Sequence, residues 1–343
     1  MAMLNAHTLP IIWGCIMAFV IFAYVVLDGF DLGVGILFAA ERGRAERDIM
    51  VNSIAPVWDG NETWLVLGGS GLYGAFPEAY SVILPAVYPL VITMLIGLIL
   101  RGVAFEFRFR AHTERHRLNW DYGFWFGSVI AAFCQGAILG AVLHGTKVAG
   151  GQFAGGPFAW FSAFSVFTGL AVVCGYALLG AAWLVWRTEG GLQLRMRREA
   201  ARLTVGMLAG ILAVSVWTPL LDHAYAVRWF TWPGLAVTGL APLAVAALAF
   251  FLFRALRHGG AVHDSTAFLC ALGLFLASFL GLGFSLFPHI IPPGVTIWQA
   301  ASPVGSQEFL LVGAVVLIPV IIAYNAFAYT IFHGKVDHAA FDH

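Results

Sequence analysis

Residues 11–40 read IIWGCIMAFVIFAYVVLDGFDLGVGILFAA. No charge interrupts 11–27, and Asp28 and Asp31 then stand among apolar residues and glycine. About 20 such residues, at about 1.5 Å each, cross the hydrocarbon of a bilayer, so the stretch predicts a membrane-spanning helix long enough to tilt or to run past the lipid. It lacks a leading basic segment and exceeds the roughly 7–15 apolar residues of a cleaved signal. It is expected to stay in the mature chain.

The rest of the sequence has the same character. Of 343 residues, 60% are hydrophobic and 10% charged, with a mean hydropathy of +0.86. Soluble domains carry about 25% charge, so this chain cannot cover a water-facing surface, and a nucleic-acid-binding stripe or an acidic disordered tail is excluded. Seven more stretches qualify as spans: 81–105, 122–143, 158–186, 204–221, 235–253, 266–287 and 310–332. The expected fold is therefore an all-α integral membrane protein of about eight transmembrane helices, one domain over 1–343. Its two four-helix bundles would divide into halves 1–190 and 191–343 near the cluster Arg195, Arg197, Arg198 and Arg202. The 41–80 connection holds one further apolar piece, Trp64–Gly71, too short and too Gly-rich to span, and expected to lie in the interface or dip into the protein.

Orientation follows from the loops. Segments 1–10, 106–121, 187–203, 254–264 and 333–343 hold 12 Lys and Arg, and the alternate set 41–80, 144–157, 222–234 and 288–309 holds 5. Basic loops stay in the cytoplasm, so both termini are expected there.

Several residues are too polar for their place. A carboxylate in hydrocarbon costs at least about 2.5 kcal/mol, and Asp28 and Asp31, three apart on a helix, share a face. They read either as a proton relay or as a polar cluster joining helices, with Arg101 as a partner. Gly29 and Gly33 form a G-x-x-x-G step that permits close approach to another helix. In Trp58-Asp59-Gly60-Asn61-Glu62-Thr63-Trp64, the tryptophans read as belt aromatics, whereas Asp59 and Glu62 beside a span are proton-exchange candidates, Asp59 in a boundary turn that water reaches. Cys15, Cys134, Cys174 and Cys270 lie in apolar stretches at no metal-ligand spacing and read as packing residues. His144, His223 and His289 fall near helix ends, not mid-span where haem ligands sit, and no phosphate-binding or nucleophilic-triad motif is present.

Longer runs carry a resemblance. Asp28-Gly-Phe-Asp31-Leu-Gly-Val-Gly35, Arg47 through Pro56-Val-Trp58-Asp59-Gly60-Asn61-Glu62-Thr-Trp64, Leu100-Arg101-Gly-Val-Ala-Phe-Glu106-Phe-Arg108, Asn119-Trp-Asp121-Tyr-Gly123, Leu286-Phe-Pro288 and Ile297-Trp-Gln299-Ala300 occur in order along nearly the whole chain. They resemble subunit II of the cytochrome bd-type quinol oxidases. The resemblance implies a haem-free subunit of a bacterial cytoplasmic (inner) membrane complex, with haems b and d in a partner subunit I that oxidises quinol and reduces oxygen to water. It also implies a structural quinone in some members, a small single-helix subunit as a further partner beside membrane lipid, and no nucleic acid. Residues matching Asp28, Asp31, Asp59, Trp58 and Arg101 are placed by it near the subunit interface, in proton access or in keeping the oxygen-reducing site intact; Asn61 and Glu62 belong to the same run. Gln299 stands where many members are acidic, which puts a proton role there in doubt, and its Trp-Gln form resembles the cyanide-insensitive branch. The rival class is a proton- or cation-coupled secondary transporter using the intramembrane carboxylates.

Overall fold

The computed structural model describes residues 6–41 and 43–336. In chain order the helices are α1 (Thr8–Leu37, extended by a 3-10 turn over Phe38–Ala40), α2 (Arg44–Ile54), α3 (Trp58–Ala75), α4 (Pro77–Phe109) and α5 (Glu114–His144), followed by α6 (Ala163–Arg187) and α7 (Gly190–Leu221). Then come α8 (His223–Phe230), α9 (Gly234–Arg257), α10 (Ala261–Leu286), α11 (Ile297–Ala300) and α12 (Val304–Ile331). Two small hairpins complete the fold, β1 (Val148–Ala149) with β2 (Gln152–Phe153) and β3 (His289–Ile291) with β4 (Val295–Thr296). Eight helices, α1, α4, α5, α6, α7, α9, α10 and α12, are long and apolar enough to cross a membrane, as the sequence predicts.

Local chemistry sets the ends. Thr113 caps α5 by accepting from the His116 amide (3.3 Å), and Ser162 and Ser165 form a reciprocal capping box at α6. Pro77 opens α4, where its missing N–H costs nothing. Pro85 and Pro89 lie inside α4, where each lacks the N–H that would bond the carbonyl four residues earlier, a loss that membrane helices tolerate.

Glycines let the central helices touch. A Cβ on Gly33 would stand on the Tyr176 carbonyl, and one on Gly180 on the Gly33 backbone, so α1 and α6 cross backbone to backbone. The face bearing Gly29 and Gly33 thus meets protein. Gly97 and Gly127 repeat the device between α4 and α5. Around these crossings the largest buried cluster draws on residues from Phe30 to Leu274, with Phe30 stacked on Trp183 at 4.3 Å. Cys134 and Cys270 are packed inside it and Cys174 is half-buried, whereas Cys15 faces outward.

The 41–80 connection differs from its expected form. Helix α3 has 18 residues, about 27 Å at 1.5 Å each, and runs antiparallel to α1 along its length: Asn61 lies at Leu27, Trp64 packs with Val20 and Tyr24, and Gly71 faces Met17. Its start, from Trp58, adds a polar turn to the piece Trp64–Gly71, and contacts with α1 and α12 stand in for the apolar side chains it lacks. Trp64 is only 2% exposed and so is not a belt aromatic.

Counting α3, which carries the chain from the level of Arg101 to the start of α4, nine helices lead from one end of the bundle toward the other among the described residues. The start of α12 meets Trp13 and Ala75 through Gln307 and Ser302, and its far end meets Asn61 and Arg187 through Tyr329 and the chain at Val336. The first turn of α1 and the last turn of α12 therefore lie at opposite ends of the bundle, and one shared side for both termini does not follow from this arrangement; the outermost residues, 1–5 and 337–343, lie outside the described ones. The charge pattern sharpens accordingly. One end carries Arg44, Arg47, the four arginines of 108–117, the five of 187–202, Arg254, Arg257 and Lys335, fourteen in all among the described residues, against Lys147 and Arg228 at the other.

Candidate functional site

Helices α1, α3, α4 and α12 bring their polar residues to one place, about eight residues, or ~12 Å, inside the basic end of α4. Asp28 and Arg101 are 1% and 2% exposed and paired at 2.7 Å, Asp28 Oδ1 accepting from Arg101 Nη1. Arg101 Nη2 donates to Glu62, so one guanidinium holds a carboxylate on α1 and another on α3. Its plane lies 5.9 Å from the Trp58 ring, which in turn packs on Phe105. Three residues after Asp28, Asp31 turns to α3: its Oδ2 accepts from Asn61 Nδ2 at 2.7 Å, and Asn61 Oδ1 accepts from the Tyr329 hydroxyl at 3.0 Å. Asp28 Oδ2, Asp31 Oδ1 and Arg101 Nε are buried without a hydrogen-bond partner.

Three carboxyl groups thus face one guanidinium in an apolar surrounding. A buried pair of this kind has little net stabilising value, but removing one partner costs about 3–5 kcal/mol. Chemically, the arrangement is a set of oxygen atoms between which a proton can be exchanged, held by a fixed cation.

Of the residues singled out in the sequence, Asp28, Asp31, Asn61, Glu62 and Arg101 meet here, and Trp58 covers Arg101. Asp59 stands apart: it lies exposed in the first turn of α3, outside the buried network. Gln299 is remote, at the basic-poor end, where its Oε1 accepts from the Thr296 amide at 2.8 Å in a capping box. Sequence reasoning missed Tyr329 and a second polar string, in which Gln135 donates to the Tyr24 hydroxyl (2.8 Å) and accepts from that of Tyr176 (2.6 Å). Gln135, an amide inside an apolar span, was a legible signal; the tyrosines, common at membrane boundaries, were not.

Elsewhere, Asp121 accepts from Arg47 (2.8 Å) and the buried Arg108 (2.6 Å), and Arg108 also reaches Asp48 (2.6 Å), which ties α2, α4 and α5 at the basic end. At the other end, Tyr225, Arg228 and His289, which lie outside the spans, line one crevice with His144, the last residue of α5. Burial pushes the Tyr225 phenol up to about 12, with Asp222 adding to the effect and Arg228 opposing it; it donates to the Leu143 carbonyl at 3.1 Å.

Comparison with known proteins agrees with the runs described above. Residues 9–332 match the family described as cytochrome bd terminal oxidase subunit II. The chain is 28% identical to cytochrome bd-I ubiquinol oxidase subunit 2 of Escherichia coli K12, covering 97% of each, and 28% identical to cytochrome bd ubiquinol oxidase subunit 2 of Bacillus subtilis, covering 95% of this chain and 96% of that one. Its fold superposes on a chain from the structure of bd oxidase from Geobacillus thermodenitrificans with a TM-score of 0.75 at 16% identity, over 95% and 98% of the two chains. With a match that runs from the second residue of α1 to the turn after α12, the chain belongs to the cytochrome bd terminal oxidase subunit II family.

Proposed function

We propose that this chain is the haem-free subunit of a quinol-oxidising, oxygen-reducing complex of the bacterial inner membrane, and that its buried carboxylates serve proton access to a partner subunit I carrying haems b and d. The observation that carries the reading is the cluster itself: Asp28, Asp31 and Glu62 around Arg101, at membrane depth and nearer the basic end. Oxygen reduction consumes protons, and a group of exchangeable oxygens on that side suits their supply. With basic ends cytoplasmic, the last turn of α12 faces the cytoplasm and the first turn of α1 the outside. Haem iron, where present, supplies the redox chemistry from the partner; this chain's part is to hold or pass protons at the carboxyl oxygens and to wall the site with apolar helices. A structural quinone and a small single-helix subunit, implied by the resemblance, belong to the same assembly. The family match over 9–332 favours this reading over a transporter.

The test is the complex co-purified with its partner. A reduced-minus-oxidised spectrum should show haems b and d, and quinol should drive oxygen uptake. Asp28→Asn and Asp31→Asn should each lower turnover by roughly 10²-fold, the small end of what positioned proton transfer contributes, with haem content kept if proton supply is what fails. Unchanged turnover in both removes these residues from the mechanism. Asp59→Asn should give a turnover defect that changes with pH, Asp59 being the exposed carboxylate beside the cluster; a wild-type, pH-independent rate leaves it structural.

A further inference from the structure

The polar contacts of Asp31 lead toward the basic end by a route that avoids Asp59. From its Oδ2 the hydrogen bonds run to Asn61 and on to Tyr329. Tyr329 in turn lines a small crevice of about 60 Å³ between the end of α2, the turn before α3 and the ends of α6 and α12, bounded by Ser53, Pro56, Trp183, Arg187 and His333. A water needs roughly 10–15 Å³ of such space and two to four polar partners, and Tyr329, Arg187 and His333 are the polar side chains that line the crevice together with Ser53. The chain beyond α12 straps this mouth: Lys335 pairs with Asp264 at 2.9 Å, and the Val336 amide donates to the Arg187 carbonyl at 2.8 Å.

We propose that this crevice is a water-filled access site through which Asp31 exchanges protons with the phase at the basic end, with the Tyr329 hydroxyl as its inner gate and Asn61 as a positioning residue. The inference rests on the oxidase reading and adds to it a path separate from Asp59. A hydronium in the crevice gives a proton to the Tyr329 oxygen while the phenolic proton leaves for a second water, and that water passes a proton to the unpartnered carboxylate Oδ1 of Asp31 when the Asn61 amide swings aside. The phenol and the second water each gain one O–H bond and lose one and so end as they began, the hydronium is left as water, Asp31 ends protonated, and nothing is oxidised. The charged and titratable groups turned toward this pair are Asp28 on α1, Glu62 on α3, Arg101 on α4, Arg187 on α6 and His333 after α12.

Tyr329→Phe tests the gate in the co-purified complex. It keeps the ring against Phe30 and Trp183, at 6.5 and 6.3 Å, and deletes only the hydroxyl. The expected result is a roughly tenfold loss of quinol-driven oxygen uptake that deepens as pH rises and protons become scarce, with yield and haem spectrum unchanged. His333→Trp, at the exposed rim, should plug the mouth and lower turnover in the same sense without touching Asn61 or Asp31. Wild-type rates at every pH in both variants overturn the proposal, and so does a Tyr329→Phe variant that loses its haem spectrum while His333→Trp stays fully active. An inactive wild-type complex would strike down the oxidase reading itself, which separates the two failures.

Discussion

Arg101 is where a single side chain decides most. Its forked guanidinium spans from α1 to α3, a geometry that lysine's point charge cannot copy. Arg101→Leu strands Asp28 in the interior and should destabilise the subunit by about 3–5 kcal/mol, while Asp28→Asn combined with Arg101→Leu should recover part of that loss. Thermal midpoints of the purified complex check the order; a single Arg101→Leu variant as stable as wild type would show that the pair is not buried in the assembly. The members of this cluster were legible in the sequence because charge inside apolar stretches is costly and therefore conspicuous. Their pairing was not. Asp28 and Asp31 share a helix face at a spacing of three, and only the packing of α4 against one and α3 against the other gives the first a cation and the second an amide.

Between elements, α1 and α6 approach backbone to backbone at Gly33 and Gly180. Gly33→Ala places a methyl on the Tyr176 carbonyl and should cost about 1–3 kcal/mol of overpacking strain, read as a lower melting temperature. Gly14→Ala, on the same helix with open space around it, should leave melting unchanged. At the basic-poor end, the short helix α8 offers a pH test. The Tyr225 phenol, pushed from 10.0 up to about 12 by burial, binds its proton more tightly folded than unfolded. Its contribution is whole below about pH 10 and is lost as pH rises toward about 12. Tyr225→Phe should remove that alkaline loss in melting temperature followed against rising pH; an unaltered alkaline profile would assign the loss to other groups. The eight apolar helices were read from hydropathy alone because length and composition suffice for them. Helix α3 was not, because its Asp59, Asn61, Glu62 and run of glycines look like a loop until the contacts with α1 and α12 are known.

That one helix changes the topology of the whole molecule. With α3 counted, the passes are odd in number, the arginines of 41–57 join those of 187–202, and the loop asymmetry becomes fourteen to two among the described residues. A reporter active only outside the cytoplasm should give signal when fused ahead of Thr8 and none after Lys335; the same result at both fusions would restore an even count. There is a further consequence for how the chain is made. As it leaves the ribosome, α1 is apolar enough to partition into lipid alone, whereas α3, with carboxylates in its first turns, is not. The only element joined to it by a one-residue turn, at Phe76, is the strongly apolar α4. Helix α3 must therefore wait at the membrane surface until α4 has been synthesised and enter with it as a hairpin, which places the committed step of biogenesis more than thirty residues after the segment it concerns.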